Sequence, residues 1–231
     1  MQARFLIPEV MDDPSLDSGR HDRALRGLER LNFLSFAHKP LWQEIRKLSR
    51  IEGSRPLRIL DIATGAGDTP IRLLRQARHE NLPLEIHGCD KSEQALTYAR
   101  LNAKRHGAGG HFFRLDVLEE PLPAGYDVLM CSLFLHHLAE PEAVLFLRKM
   151  TAAARCMVMI SDLRRSRAGL WLAAAAAHLF TRSAVVHFDA PQSVRAAFTI
   201  EEVSKITRAA GWPHFQIWPV WPFRYLLTGT V

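Results

Sequence analysis

"RILDIATGAGDTPIRLL", residues 58–74, decides how the rest of the chain is read. A short apolar run, 57–62, carries Asp61 near its end, gives way to a small-residue loop with Gly65 and Gly67, and restarts as a helical pattern over 70–79. Thr69 followed by Pro70 predicts a cap and the first helical residue. A strand, a glycine loop and a helix in that order place a loop at the carboxyl edge of a parallel sheet, where ligands bind.

The same alternation continues outward. Strands are predicted over 84–90, 111–117, 126–134 and 156–163, and helices over 92–107 and 141–154. The strands are continuous apolar runs, as a sheet covered on both faces requires. After the fifth strand comes a stretch of about 35 residues, 164–198, too long for a simple connection. A helix over 199–211 and two strands, 214–221 and 223–230, follow, and the short link between the strands allows only antiparallel pairing. The first 50 residues are helical in pattern and are expected to lie across the ligand edge as a lid. The expectation is one α/β domain, divided into that lid (1–50), a ligand-binding core (55–163), an acceptor-site insertion (164–198), and a C-terminal helix with its hairpin (199–231).

Composition excludes several classes. The 231 residues include 30 Lys and Arg against 24 Asp and Glu, but the basic residues are spread along the chain, so no nucleic-acid partner is expected. The three cysteines (Cys89, Cys131, Cys156) form no pairing pattern and are read as reduced thiols of a cytoplasmic protein. The N-terminal stretch lacks the uninterrupted apolar core of a secretion leader. The longest apolar stretch, 169–180, is too short to cross a bilayer, so stable membrane insertion is not expected, and a buried helix or an apolar substrate wall fits it better. Oligomeric state is not legible.

The loop chemistry narrows the ligand. No lysine follows the glycines, which removes the GxxxxGK[ST] phosphate loop, and counting GxGxxG from Gly65 puts Pro70 at the third glycine. Asp61 before the turn and Asp68 within it suit a ligand bearing positive charge and hydrogen-bond donors. S-adenosylmethionine, with its ammonium and sulfonium, meets that description. Asp90 at the end of the second strand can accept the two ribose hydroxyls, and Asp116 with Val117 suits an adenine amino group against an apolar wall.

The order Asp61-x-Ala63-Thr64-Gly65-x-Gly67-Asp68, then Asp90, Asp116 and the terminal hairpin, resembles the class I S-adenosylmethionine-dependent methyltransferases. The "DIATGAGD" form is similar to that of the ubiquinone and menaquinone biosynthesis enzymes. "EVMDDPSLD", "ALRGLERLN", "SLFLHHL" and "HFDAPQSVRAAFT" resemble a bacterial subgroup associated with polyketide or phenolic-lipid pathways. The resemblance implies a Rossmann-like seven-stranded sheet with a terminal antiparallel hairpin and a helical N-terminal lid. It also implies a cofactor site of Asp61, Ala63, Thr64, Gly65, Gly67, Asp68, Asp90, Lys91, Asp116, Val117, Cys131 and Ser132. Ala63 stands where the first of three glycines would be.

Methyl transfer to oxygen or carbon also requires loss of a proton, and a histidine near its ordinary pKa is a natural base. His136 and His137, just after the fourth strand, are the first candidates, and His187 is another. Adjacent histidines are expected to point apart, and Cys131 and Ser132 replace the carboxylates of a metal-dependent site, so no metal is expected. The acceptor is expected to be an apolar or aromatic small molecule, contacted by Asp162, Arg164, Asp189 and Arg195, with His21, Arg26 and Asn32 closing over it. A noncatalytic accessory protein on the same fold and an NAD-dependent oxidoreductase remain as alternatives.

Overall fold

The computed structural model describes residues 3–13, 15–53 and 55–231. Seven strands form one sheet in the order β3-β2-β1-β4-β5-β7-β6. They are β1 (Leu57–Ile62), β2 (Leu84–Asp90), β3 (His111–Arg114), β4 (Tyr126–Ser132), β5 (Ala154–Leu163), β6 (Phe215–Val220) and β7 (Arg224–Thr230). The first five are parallel, and β7 enters antiparallel between β5 and β6. The expected Rossmann-like sheet and terminal hairpin are therefore present. Strand order reverses between β1 and β4, so the ends of these two strands flank the switch point where ligands enter such sheets.

The continuous apolar runs are explained by two covered faces. Leu60, Ile62, Leu129 and Cys131 pack toward Phe146, Leu147 and Met150 of α5 (Glu140–Ala153) and Val203 and Ile206 of α8 (Ile200–Ala209). Their chain neighbours Ile59, Val128 and Met130 pack the other way, against Leu73, Leu74 and Ala77 of α3 (Asp68–His79). Leu41, Trp42 and Ile45 join that second layer from α2 (His38–Glu52). The N-terminal region divides: α2 covers the sheet, and α1 (Ser18–Leu34) packs against α4 (Glu93–Arg105) and the insertion helices.

Other boundaries move for local reasons. Helix α3 begins at Asp68 rather than at Pro70, because Gly67 takes a left-handed conformation (φ 69°) at the N-cap. Strand β3 ends at Arg114, three residues early; the Leu115 amide donates to the Asp90 carbonyl, and Asp116 and Val117 already belong to the following turn. The 35-residue insertion is two helices, α6 (Arg167–Phe180) and α7 (Ala184–Ala196), started by Ser166 and Ser183 caps. Helix α6 is not the buried helix its composition suggested: Trp171 and Leu179 on it are 76% and 77% exposed.

At the far edge, Gly229 of β7 lies under the Trp212 ring, which is held by its Nε1 donating to the Leu147 carbonyl (3.3 Å). A Cβ at residue 229 would sit 2.2 Å from Trp212, far inside contact distance. Gly229→Ala is expected to cost about 1–3 kcal/mol through overpacking, read as a lower urea midpoint at unchanged slope. An unchanged midpoint would show that the ring moves freely, contrary to its bonding.

Candidate active site

The loop after β1 is built around one buried carboxylate, Asp61, and two half-buried ones, Asp68 and Asp90. Asp61 is buried; its Oδ2 accepts from Thr64 Oγ1 at 2.6 Å, and its Oδ1 has no hydrogen-bond partner. Burial, added to by the nearby charges of Asp68 and Asp90 and opposed by the Thr64 bond, pushes its carboxyl up to about 8. Ala63 beside it is left-handed (φ 53°), a backbone that glycine adopts more readily. Gly65 (φ 53°) faces open space where a side chain would project, and its amide donates to Asp90 Oδ2 at 2.9 Å. Asp90 Oδ1 accepts from the Ser92 amide at 2.9 Å. Burial raises Asp90 as well. Asp68 is also raised by burial, against the Asn32 amide that donates to it at 3.2 Å.

These observations fit a cationic ligand bearing hydrogen-bond donors. An ammonium group would satisfy the unpartnered Asp61 oxygen and return the carboxyl to its charged form. The other expected ligand residues fall in different places. Val117, Cys131 and Thr64 are buried, Lys91 is exposed, and Ser132 pairs with Ser161 in the sheet. Asp116 uses its Oδ1 to hold the Leu118 amide at 3.1 Å.

A second cluster follows β4. Leu133 (φ 57°) turns the chain sharply, and His136 then packs over the end of β5. Asp162 accepts twice from His136, at 3.0 Å from its amide and 2.7 Å from Nδ1. His136 Nε2 lies 3.6 Å from Glu9, on the far side of the ring. Burial alone would lower this imidazole, but Asp162 and Glu9 outweigh it and raise it to about 10. The two carboxylates thus favour the imidazolium form of His136, whereas the sequence suggested a base near its ordinary pKa.

His137 is also turned toward Glu9. Its Nε2 lies 3.9 Å from Glu9, and its Nδ1 lies 3.3 Å from Asp12. The two rings are 4.4 Å apart, and the ligand atoms of Glu9, His136 and His137 all lie within 4.8 Å of one another. The adjacent histidines therefore converge rather than diverge. His187 belongs to a separate pair, stacked on His178 at 4.2 Å with its Nε2 3.1 Å from the Thr181 carbonyl oxygen.

The segment carrying Glu9 and Asp12 was not foreseen as part of the site. Asp189 fastens it by accepting from the Val10 and Met11 amides at 2.9 and 3.0 Å. Ser193 Oγ donates to Glu9, and Arg4 Nη2 donates to the His136 carbonyl at 2.7 Å. His21 is buried on α1, and the charges of Asp90 and Asp12 both act on it, so the two clusters border one region. Asn32 bridges Asp68 and the buried Arg224, whose Nη2 donates to Asn32 Oδ1 at 3.0 Å. Arg26 and Arg195 point to solvent, and Arg164 is half-buried.

Comparisons with known proteins bear on the sheet that carries these residues. Residues 59–156 match the family model described as "Methyltransferase domain". A ubiquinone biosynthesis O-methyltransferase from Idiomarina loihiensis is 32% identical over 89 residues, 38% of this chain and 34% of that protein. A demethylmenaquinone methyltransferase from Thermus thermophilus is 31% identical over 113 residues, 48% of this chain and 49% of that one. The chain thus spans less than half the length of these curated relatives. A magnesium protoporphyrin IX methyltransferase from Synechocystis, solved with bound SAH, superposes with a TM-score of 0.57 over 94% of this chain and 89% of that one at 17% identity.

Asp61 generates a pH prediction. Between its ordinary value of 3.8 and about 8 the native state keeps a proton that the unfolded chain has released, so stability falls with rising pH across that window. Asp61→Asn removes this dependence. In thermal melts of the ligand-free protein, the variant should gain on wild type from about pH 5 to about pH 8 and hold a constant advantage above that. Parallel melting curves at every pH would show that Asp61 is not the desolvated acid described.

Proposed function

We propose, from the premise that residues 59–156 form a methyltransferase domain on a class I sheet, that the protein transfers a methyl group from S-adenosylmethionine to a small molecule. The observation that carries this is the unpartnered, buried Asp61 Oδ1 beside the Gly65–Asp90 contact, a receptor for a cationic ligand. The sulfonium supplies an activated methyl group, and alignment of the acceptor supplies most of the rate enhancement. Asp61 and Asp68 would answer the ammonium, Asp90 the ribose hydroxyls, and Asp116 with Val117 the adenine.

The acceptor we infer is an oxygen or carbon centre on an apolar, aromatic, polyketide- or quinone-like ring. The insertion, 164–198, would form its wall, in one catalytic unit acting in the cytoplasm. Proton removal falls to His137, which keeps an exposed edge (23% of its side chain) and has Asp12 at its Nδ1. His136, fixed between Asp162 and Glu9, would act as a positioning residue that holds the turn carrying His137. We read the cluster as proton-handling and metal-free, with Asp162 at His136 Nδ1 and Glu9 beside both rings.

Calorimetry should show S-adenosylmethionine binding that Asp90→Ala weakens by at least about tenfold, the scale of a lost charge-assisted hydrogen bond. His137→Ala should bind the donor normally and lose at least about a hundredfold in turnover. Binding of NADH instead of S-adenosylmethionine contradicts the donor assignment, and full turnover by His137→Ala contradicts the base.

A further inference from the structure

Helix α6 presents an apolar face with nothing against it. At 100° per residue, Ala168, Trp171, Leu172, Ala175 and Leu179 fall within an arc of about 100° along a helix about 21 Å long. Trp171 and Leu179 are 76% and 77% exposed, and Leu172 is exposed as well. The opposite side, through Gly169 and Ala177, is buried against the protein. The β6–β7 turn lies against the first turn of the helix, since a Cβ at Gly169 would come within 3.0 Å of Phe223, and that turn carries the exposed Trp221.

The charge carried by the sequence of this helix and its flanks has one sign. From residue 163 to residue 188 the sequence has four arginines and no carboxylate. Arg165 is buried and paired with Glu202, whereas Arg164, Arg167 and Arg182 form no ion pair among the described residues. Arg167 and Arg182 bracket the helix and are both exposed. No described helix is long and apolar enough to cross a membrane. A short helix with Trp and Leu on one face and arginines at its ends has the pattern of an element that lies in the headgroup layer.

We propose that the outer face of α6 docks the protein onto an anionic lipid surface. The proposal rests on the acceptor reading above for its purpose: an apolar acceptor partitions into a bilayer, and α6 begins five residues after Asp162, the group that holds His136. Docking therefore sets the insertion that would wall the acceptor site against the phase that holds the acceptor.

The test is co-sedimentation with vesicles of phosphatidylcholine alone and of phosphatidylcholine with phosphatidylglycerol. Binding should be at least about tenfold stronger to the anionic vesicles and fall with salt. Trp171→Ser with Leu179→Ser should abolish it, and Arg167→Gln with Arg182→Gln should weaken it on anionic vesicles only. Donor binding by calorimetry in each variant shows that the fold is intact. Equal sedimentation of wild type and the Trp171/Leu179 variant overturns the proposal. So does a wild type that ignores vesicles and whose dimer, by light scattering, is lost in that variant, which makes the face a contact between copies. Vesicle binding without S-adenosylmethionine binding would sink the functional reading and leave the docking surface standing.

Discussion

Asp162 is a fully buried carboxylate at the end of β5, and the turn after β4 and the N-terminal segment are arranged to satisfy it. A charge at that depth without partners costs several kcal/mol. Here it receives the amide and Nδ1 of His136, and the amide of Leu163. The post-β4 turn must therefore bring His136 directly over β5, which the left-handed Leu133 achieves. The imidazolium then draws Glu9, and with Glu9 comes the segment that Asp189 and Arg4 fasten. One buried charge thus anchors the segment from Arg4 to Asp12.

Asp61 shows the opposite condition. It lies equally deep, at the end of β1, with only Thr64 to answer it, and its second oxygen has no partner. A satisfied carboxylate organises structure, whereas an unsatisfied one is a receptor whose cost is recovered when a cation binds. The two conditions stand on either side of the sheet's switch point, and His21, under the charges of Asp90 and Asp12, marks where they meet.

The sheet was legible because its strands must be apolar on both faces, so β1, β2 and the β6–β7 hairpin are visible as runs within a residue or two of their ends. The donor loop was legible for a related reason: its carboxylates follow strands directly, and Asp61, Gly65, Gly67 and Asp90 meet through neighbouring elements. Glu9 and Asp12 were not, since their contacts with His136 and His137 span more than 120 residues and carry no local periodicity. The raised pKa of His136 depends on Asp162, 26 residues onward, which was noted only as a polar contact for the acceptor. Helical phase defeated Arg26 and Arg195, which a pattern places on helices but not on a face. It also hid α2, whose Leu41, Trp42 and Ile45 belong to the sheet's cover rather than to a lid.

The central claim is that a cationic methyl donor sits over Asp61 and gives its methyl to a ring presented at His137. The direct measurement is mass spectrometry of reactions containing S-adenosylmethionine with an isotopically labelled methyl group and a panel of hydroxylated aromatic and quinol acceptors. The account predicts a labelled methyl on oxygen or carbon of an apolar member of the panel, with S-adenosylhomocysteine formed in equal amount. Donor binding with no labelled product and no S-adenosylhomocysteine from any acceptor would contradict it and leave a protein that keeps the fold without the chemistry.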